Sequence, residues 1–278
     1  MTMENNVKRE NLKNNFLKNI IVRFDYTGVA EVELDNIISE VKPIFKGDGY
    51  NRLEEEYLTE MDFQLQDPES MEIDGLPIKE ISKKRAYVFI NDEKGIECKL
   101  STQFALVLIQ NQKYIPFFEY SKTLMCVMTK FREEVEFLNF TRFGIRKVNQ
   151  CIIKDISSLN KYFDTKFFQI YGLEKGNIPK LFEAKDCFAD EKYNVNLTRM
   201  VIMGEYENEA AYQVVLDSDI YITKTEAINE LFKGDTEITA MNENLFVLYK
   251  EALTETFIEE LGKEDYSDSN IIGVECNE

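Results

Sequence analysis

The stretch NFTRFGIRKVNQCII, residues Asn139–Ile153, predicts a long β-strand just past the middle of the 278-residue chain. The predicted order of elements begins again at this strand. A strand, a helix, several antiparallel strands and a long helix precede it, and the same kinds of element follow it in the same order. This repetition indicates a diverged internal duplication with its boundary near Val135. The alternative is coincidence, because any α+β chain offers such patterns.

The elements that support the repetition lie in both halves. The first half opens with a predicted strand at Leu17–Tyr26 and a predicted helix at Glu31–Phe45, whose apolar residues recur at helical spacing. The second half contains a predicted hairpin of Tyr193–Tyr206 with Ala210–Thr223. It closes with a predicted amphipathic helix at Asn242–Leu261. Each half thus has strands with an apolar face and a helix to cover them.

The predicted fold class is α+β, with two tandem units that are each a curved antiparallel sheet packed on a long amphipathic helix. The N-terminal unit is expected at residues 1–135 and the C-terminal unit at residues 136–264. Residues 265–278 form an acidic tail that we expect to be frayed. No linker rich in glycine, serine or proline separates the halves, so we expect them to pack tightly.

The composition excludes several classes of function. The chain has 51 acidic and 33 basic residues, a net charge of −18, and no histidine. This charge argues against a protein that binds the phosphates of DNA or RNA, and we expect no direct nucleic-acid binding by the chain alone. The absence of histidine removes Ser-His-Asp and Cys-His nucleophile systems and imidazole zinc sites. We predict no cofactor.

The cysteines and the apolar runs indicate a reducing compartment. Five cysteines lie far apart without a CxxC pair, which is typical of unpaired thiols rather than a zinc or redox motif. The first fifteen residues carry no apolar stretch, and no run is long enough to span a membrane. We therefore expect a cytoplasmic protein that does not associate with membranes. Abundant Asn, Lys, Ile and Glu fit an AT-rich genome of a bacterium or a phage.

The candidate site residues lie within the central predicted strand. Arg142, Gly144 and Arg146 share one face, because side chains of like parity point the same way along a strand. Two guanidinium groups that flank a bare glycine could bind a carboxylate or a phosphate, with Asn149 as a further candidate. In the alternative interpretation, which we favour, both arginines form ion pairs with acidic neighbours and stabilise the sheet.

The pattern R-x-G-x-R-x-x-N from Arg142 to Asn149 also resembles the signature of a bacterial family of conserved hypothetical proteins. Its members have about 250 residues and are patchily distributed among genomes. An apolar strand followed by a helix, here Ile20–Phe45, and a closing helix, here Leu245–Gly262, are similar to that family too. Family members often begin the closing helix with a Leu-His pair, where this chain has Leu248 and Tyr249. The resemblance implies no assigned activity.

Paired carboxylates raise the question of a metal site. Asp217 and Asp219 share a face of a predicted strand, and Glu54, Glu55 and Glu56 form a run. A metal-dependent hydrolase needs two or three carboxylates that converge from separate strands, and no known metal-binding spacing is present. Solvated acidic faces are the favoured interpretation, so we predict no bound metal.

These observations favour a non-enzymatic binding or regulatory protein that acts through protein-protein contact. The negative charge predicts a partner with a basic surface. A role in toxin neutralisation, bacterial defence against viruses or phage-host conflict fits the patchy distribution of the similar family. Two alternatives remain open. One is a carboxylate- or metal-dependent enzyme, or a binder of anionic small molecules, that uses Arg142 and Arg146. The other is a nucleic-acid mimic.

Overall fold

A computed structural model describes residues 7–63, 78–110 and 117–276 and shows a mixed α+β protein with a large antiparallel sheet. Among those residues there are six α-helices: α1 Glu31–Gly47, α2 Phe117–Glu134, α3 Leu159–Tyr162, α4 Thr225–Glu230, α5 Thr236–Glu251 and α6 Glu255–Leu261. The strands are β1 Asn14–Asn15, β2 Leu17–Thr27, β3 Arg52–Phe63, β4 Ile78–Asn91, β5 Ile96–Ser101, β6 Phe104–Ile109, β7 Asn139–Ile153, β8 Leu181–Ala189, β9 Asn194–Tyr206, β10 Glu209–Ile222, β11 Ile271–Ile272 and β12 Glu275–Cys276.

The central predicted strand is confirmed, because β7 spans Asn139–Ile153 in the middle of a ten-stranded sheet. The strands run in the order β3-β4-β5-β6-β2-β7-β10-β9-β8, and the short β11 pairs with the end of β7. Strands β2 and β7 are antiparallel neighbours, with Val22 opposite Ile145. Both halves of the chain therefore contribute to one continuous sheet.

The order of strands is the same in each half when it is followed outward from the centre. Apart from the two-residue strands β1, β11 and β12, the first strand of each half, β2 or β7, is central, and the last strand of that half, β6 or β10, lies beside it. The earlier strands of each half then continue to the edge. The duplication itself, and the division at residues 135 and 136, stay predictions.

The helices cover one face of the sheet through two apolar clusters. The larger cluster joins α1, α2 and the beginning of α5 to the inward residues of the central strands, among them Phe24 and Ile145. The second cluster joins α6 and the end of α5 to the other end of β7 and β10, and Phe16 and Phe257 are among its fully buried residues. Inward and outward residues alternate along β2, which is the pattern of a strand with one covered face.

The predicted closing helix is wrong in its start and in its continuity. The structure has two helices, α5 and α6, separated at Ala252–Thr254, and α5 begins six residues before Asn242. The break has a local cause, because the Thr254 side chain accepts a hydrogen bond from the backbone N–H of Phe257. A threonine that caps the N-terminus of α6 starts a new helix instead of continuing the old one.

The acidic tail is not frayed over residues 265–276, contrary to expectation. Ile271 pairs with Ile153 at the end of β7, and β12 pairs with β1. The Glu275 carboxylate lies 2.8 Å from the Lys18 Nζ. Apolar and backbone contacts thus attach this acidic segment to the sheet, which composition alone did not reveal.

Replacing Ile271 by alanine is expected to lower the free energy of unfolding by about 2 kcal/mol, because its side chain is buried in the second apolar cluster. Replacing the neighbouring Ile272, which is only partly buried, is the matched control and should cost less than about 1 kcal/mol. Urea unfolding of both variants measures the difference. Equal, small losses would mean that the tail does not contribute to stability.

Candidate functional site

Arg142, the first residue of the predicted site, is engaged by carboxylates of its neighbouring strands. Its Nη2 donates to both carboxylate oxygens of Asp219 on β10, each at 2.8 Å. Its Nη1 lies 3.4 Å from the Asp25 carboxylate on β2, the residue directly opposite in the register. The guanidinium also lies over the Tyr221 ring, 4.6 Å from the ring centre. The charge-assisted hydrogen bonds from Nη2 to both Asp219 oxygens hold the Arg142 side chain over this face of the sheet.

Gly144 provides the space that this arrangement needs. A Cβ atom at Gly144 would lie 2.8–2.9 Å from the guanidinium atoms of Arg142. The bare patch expected from the sequence is therefore covered by the arginine of the same strand. Arg146, the next residue on this face, donates from Nε to Asp217 Oδ1 at 2.8 Å, and this hydrogen bond raises the pKa of its guanidinium. On this face of the sheet both guanidinium charges are met by carboxylates.

Replacing Gly144 by alanine is expected to lower the free energy of unfolding by about 1 kcal/mol, because the Arg142 guanidinium must shift away from the new methyl group and strain its hydrogen bonds to Asp219. Gly204 on β9 is the matched control, since a Cβ there meets nothing within 4 Å. Its replacement by alanine should be neutral or slightly stabilising. Thermal and urea unfolding measure both, and an equal response of the two variants would contradict the packing described for Arg142.

Asn149 lies on the opposite, helix-covered face of the sheet, apart from the two arginines of the motif. It is buried, and its Nδ2 donates to the Leu216 backbone carbonyl at 3.3 Å. Lys147 has the same parity and lies on the same face. The predicted site residues are therefore divided between two faces, because R-x-G-x-R-x-x-N places its asparagine an odd number of residues from the arginines.

A cavity of about 200 Å³ lies where Lys147 and Asn149 face α5. A cavity of this volume has room for a small ligand or several water molecules. One part of the wall is apolar and consists of Leu12, Leu17, Leu245, Phe246 and Tyr249. The rest is polar and carries more positive than negative charge, with Arg9, Glu10, Lys13, Asn15, Lys147, Asn149 and Ser218.

The N-terminal segment, residues 9–17, forms one side of this cavity and is held by contacts across the whole chain. Phe16 is buried against the rings of Phe163, Tyr249 and Phe257. Asn14 Nδ2 donates to the Lys263 backbone carbonyl at 2.6 Å. These contacts place the cations of the segment over the space between β7 and α5.

The electrostatics of the cavity centre on Lys147. Its Nζ donates to Asn242 Oδ1 on α5 at 2.6 Å, and Arg9 Nη2 donates to the backbone carbonyl of the same asparagine at 2.9 Å. Burial, and secondly the charge of Arg9, place the pKa of Lys147 well below its ordinary value, against the opposing influence of Glu243. The Lys147 amine is therefore less firmly protonated than a surface lysine.

A cavity residue also carries an unsatisfied polar group. The Tyr249 hydroxyl is buried and has no hydrogen-bond partner among the described residues, and the same holds for the Tyr266 hydroxyl. Burial, with the nearby Cys151 and Tyr266, raises the pKa of Tyr249 well above its ordinary value. Buried hydroxyl groups normally have partners, so this unpaired hydroxyl next to Cys151 and Tyr266 is an exception within the second apolar cluster.

Neither a metal site nor a membrane span is found in the described part of the chain. Within residues 7–63, 78–110 and 117–276, no three side chains of the metal-binding types converge. None of the helices described there is both long and apolar enough to cross a bilayer. Asp217 and Asp219, the carboxylate pair noted in the sequence, instead bind the two arginines of β7.

Comparison with known proteins provides no assignment. Neither a family model nor a curated protein matches the sequence. Among solved structures, the di-domain ARO/CYC StfQ from the steffimycin biosynthetic pathway is similar at 9% sequence identity with a TM-score of 0.22. The alignment covers 88% of this chain and 97% of that chain. A likeness at this level supports no statement about fold or function.

Sequence reasoning missed Lys147, Arg9 and Lys13, although one signal for Lys147 was present. Phe143, Ile145, Cys151 and Ile153 have its parity and are fully buried or nearly so. A lysine in the middle of such an inward row has to reach a polar partner or a cavity, because a buried ammonium is costly without one. No comparable local signal marks Arg9 or Lys13, whose place depends on the folding of the N-terminal segment.

Proposed function

We propose that this protein acts by binding, and that its ligand is a small amphipathic anion held in the cavity between β7 and α5. The observation that carries the proposal is the charge of the cavity wall. Two cations, Arg9 and Lys13, and the less firmly protonated amine of Lys147 line it beside a single carboxylate, Glu10, in a chain with a net charge of −18. A local excess of positive charge beside apolar side chains is the pattern of a site that orients an anionic head and buries an apolar body.

The alternative placement of an anion at Arg142 and Arg146 has less support. Both guanidinium groups there already bind carboxylates of the same sheet. An anion would have to displace Asp219 or Asp217, leaving a carboxylate without its partner. An anion in the cavity would displace fewer carboxylates, because Lys13 is exposed and Lys147 binds a neutral amide.

Octanoate is a suitable probe of this function, with octanol as the matched uncharged ligand. Calorimetric titration of the full-length protein should give saturable binding of one octanoate per chain. Octanol, which has the same chain without the charge, should bind about tenfold more weakly, a difference of about 1.4 kcal/mol. Equal binding of both ligands, or none of either, would contradict the proposed function.

A charge reversal at the exposed Lys13 should weaken octanoate binding by about fivefold, or roughly 1 kcal/mol, because it replaces an attraction at the cavity mouth with a repulsion. Lys42→Glu is the matched control, since this lysine is exposed on α1 and does not line the cavity. Titration of octanoate into both variants measures the effect. Equal weakening of the two would assign it to the overall charge of the protein.

A second candidate function, contact with a protein partner that has a basic surface, is favoured by the surface of α6. Residues 251–265 contain six acidic residues and one lysine, and Glu251, Glu255 and Glu259 are exposed. Opposite charges would accelerate the association of such a surface with a basic partner and make it sensitive to salt.

This second candidate is tested by identifying co-purified proteins and the native mass of the complex at low salt. The double variant Glu255→Lys/Glu259→Lys should lose most of the partner, whereas Glu93→Lys, in the exposed turn between β4 and β5, should retain it. Equal recovery with both variants would exclude α6 as the contact surface. Co-purification of nucleic acid instead of a protein would contradict the expectation, drawn from the net charge, that the chain does not bind nucleic acid directly.

A further inference from the structure

We propose that Lys147 forms a reversible imine with the carbonyl carbon of a 2-oxo carboxylate bound in the cavity. This inference rests on the proposed function and names its ligand class. It requires an amine that is reachable, an amine that holds a free electron pair, and a binding site for the carboxylate. The structure addresses each requirement in turn.

The Lys147 amine is part of the cavity wall and is not held by a carboxylate. Its Nζ donates to Asn242 Oδ1, a neutral acceptor, and lies 5.8 Å from the centre of the Phe117 ring. Among the residues that the structure describes, no carboxylate lies within ion-pair distance of this nitrogen. An amide acceptor can bind one N–H of an uncharged amine and leave the electron pair free.

The surrounding charges favour the uncharged amine. The ionised groups of the cavity wall besides Lys147 are Arg9, Glu10 and Lys13 of the N-terminal segment, and Glu243 of α5 lies behind Arg9 at 3.5 Å. Burial and the Arg9 charge outweigh Glu243 and lower the pKa of Lys147 well below that of an exposed lysine. A lysine amine is activated as a nucleophile when it is desolvated and lies next to another cation.

The same neighbours determine the ligand class. A carboxylate bound at Arg9, which shares Asn242 with the Lys147 amine, lies near that amine, and a 2-oxo acid carries its carbonyl at the carbon adjacent to the carboxylate. An aliphatic chain on the far side of the carbonyl then contacts Leu245, Phe246 and Tyr249. The cavity therefore fits a 2-oxo acid with a short aliphatic chain better than a sugar or a nucleotide.

The covalent step is balanced without an external oxidant or reductant. The electron pair of Nζ attacks the carbonyl carbon, and one N–H proton passes to the alkoxide oxygen to give a neutral carbinolamine. A proton from solvent then protonates the hydroxyl group, which leaves as water as the C=N bond forms, and the remaining N–H proton returns to solvent to give the neutral imine. Hydrolysis reverses each step, so the ligand is released unchanged and the protein remains a binding protein.

The test uses 2-oxooctanoate as the probe and borohydride reduction to trap the imine in the full-length protein. Mass spectrometry should find one adduct per chain, equal to the ligand minus one water plus two hydrogens, located at Lys147. Labelling there should exceed that of any other lysine severalfold, because the amine is less firmly protonated than a surface lysine. Lys147→Arg should abolish it and keep the positive charge, whereas Lys42→Arg, on the exposed side of α1 and away from the cavity, should retain it.

The outcomes separate this inference from the proposed function. Octanoate binding without any adduct from 2-oxooctanoate would overturn the imine and leave the proposed function standing. Failure of both octanoate binding and adduct formation would overturn both. Labelling spread over surface lysines, or unchanged labelling in Lys147→Arg, would also overturn the assignment to Lys147. Circular dichroism of the variants shows whether they are folded, and octanoate binding by Lys147→Arg shows whether the cavity survives.

Discussion

Replacing Phe16 by alanine is expected to lower the free energy of unfolding by about 3–5 kcal/mol, the largest single loss that we predict. The side chain is 1% exposed and lies between three rings, with its centre 5.9 Å from Phe163, 5.4 Å from Tyr249 and 6.0 Å from Phe257. Its loss leaves a cavity between the N-terminal segment and α6. Urea unfolding followed by circular dichroism measures the change.

Phe137→Ala is the control for this prediction, because Phe137 is 75% exposed and its replacement should change stability by less than about 0.5 kcal/mol. Phe16→Ala should also weaken octanoate binding, since Phe16 holds the segment that carries Arg9 and Lys13. A variant that loses less than about 1 kcal/mol would show that the N-terminal segment is not packed as described.

Replacing Asp219 by alanine is expected to cost about 2–3 kcal/mol of stability, because it leaves the Arg142 guanidinium with only the more distant Asp25 carboxylate. We expect a smaller loss of stability than for a fully buried ion pair, because the two side chains are 16% and 25% exposed. Asp217→Ala is the matched control. Its partner Arg146 is 48% exposed, so that loss should be about 1 kcal/mol or less.

A double-mutant cycle determines whether the two residues act as a pair. Arg142→Met combined with Asp219→Ala should be more stable than the sum of the single losses predicts, by about 1–2 kcal/mol, because no charge is left without its partner. Octanoate binding should be unchanged in all three variants. Additive losses, or a loss of ligand binding with Arg142→Met, would instead favour an anion site on this face of the sheet.

The elements that could be predicted from the sequence are those with a strong local pattern. Strand β7 was predicted to the residue, and β2 within one residue, because both are rich in β-branched and aromatic side chains. Strand β8 was missed, since its sequence LFEAKDCFA lies at an edge of the sheet and most of its side chains are exposed. An edge strand needs no apolar face, so alternation does not reveal it.

The cavity could not be predicted, because its parts are distant in sequence. Arg9 and Asn242 are 233 residues apart and are joined by one hydrogen bond. The sequence supplied one cavity residue, Asn149, but grouped it with arginines of the other face. Strand parity alone would have separated them, whereas the approach of the N-terminal segment to α5 depends on the packing of Phe16 and on the antiparallel pairing of β1 with β12.

The most direct test of the central claim is to locate the bound anion. A photoreactive alkyl carboxylate, crosslinked to the full-length protein and mapped to single residues by mass spectrometry, should label Leu245, Phe246 or Tyr249 on α5, or Leu12 or Leu17 on the opposite side. Excess octanoate should suppress that labelling. Labelling of Tyr221 or Asn196, which lie beside Arg142 and Asp219, or labelling that octanoate does not suppress, would contradict the claim.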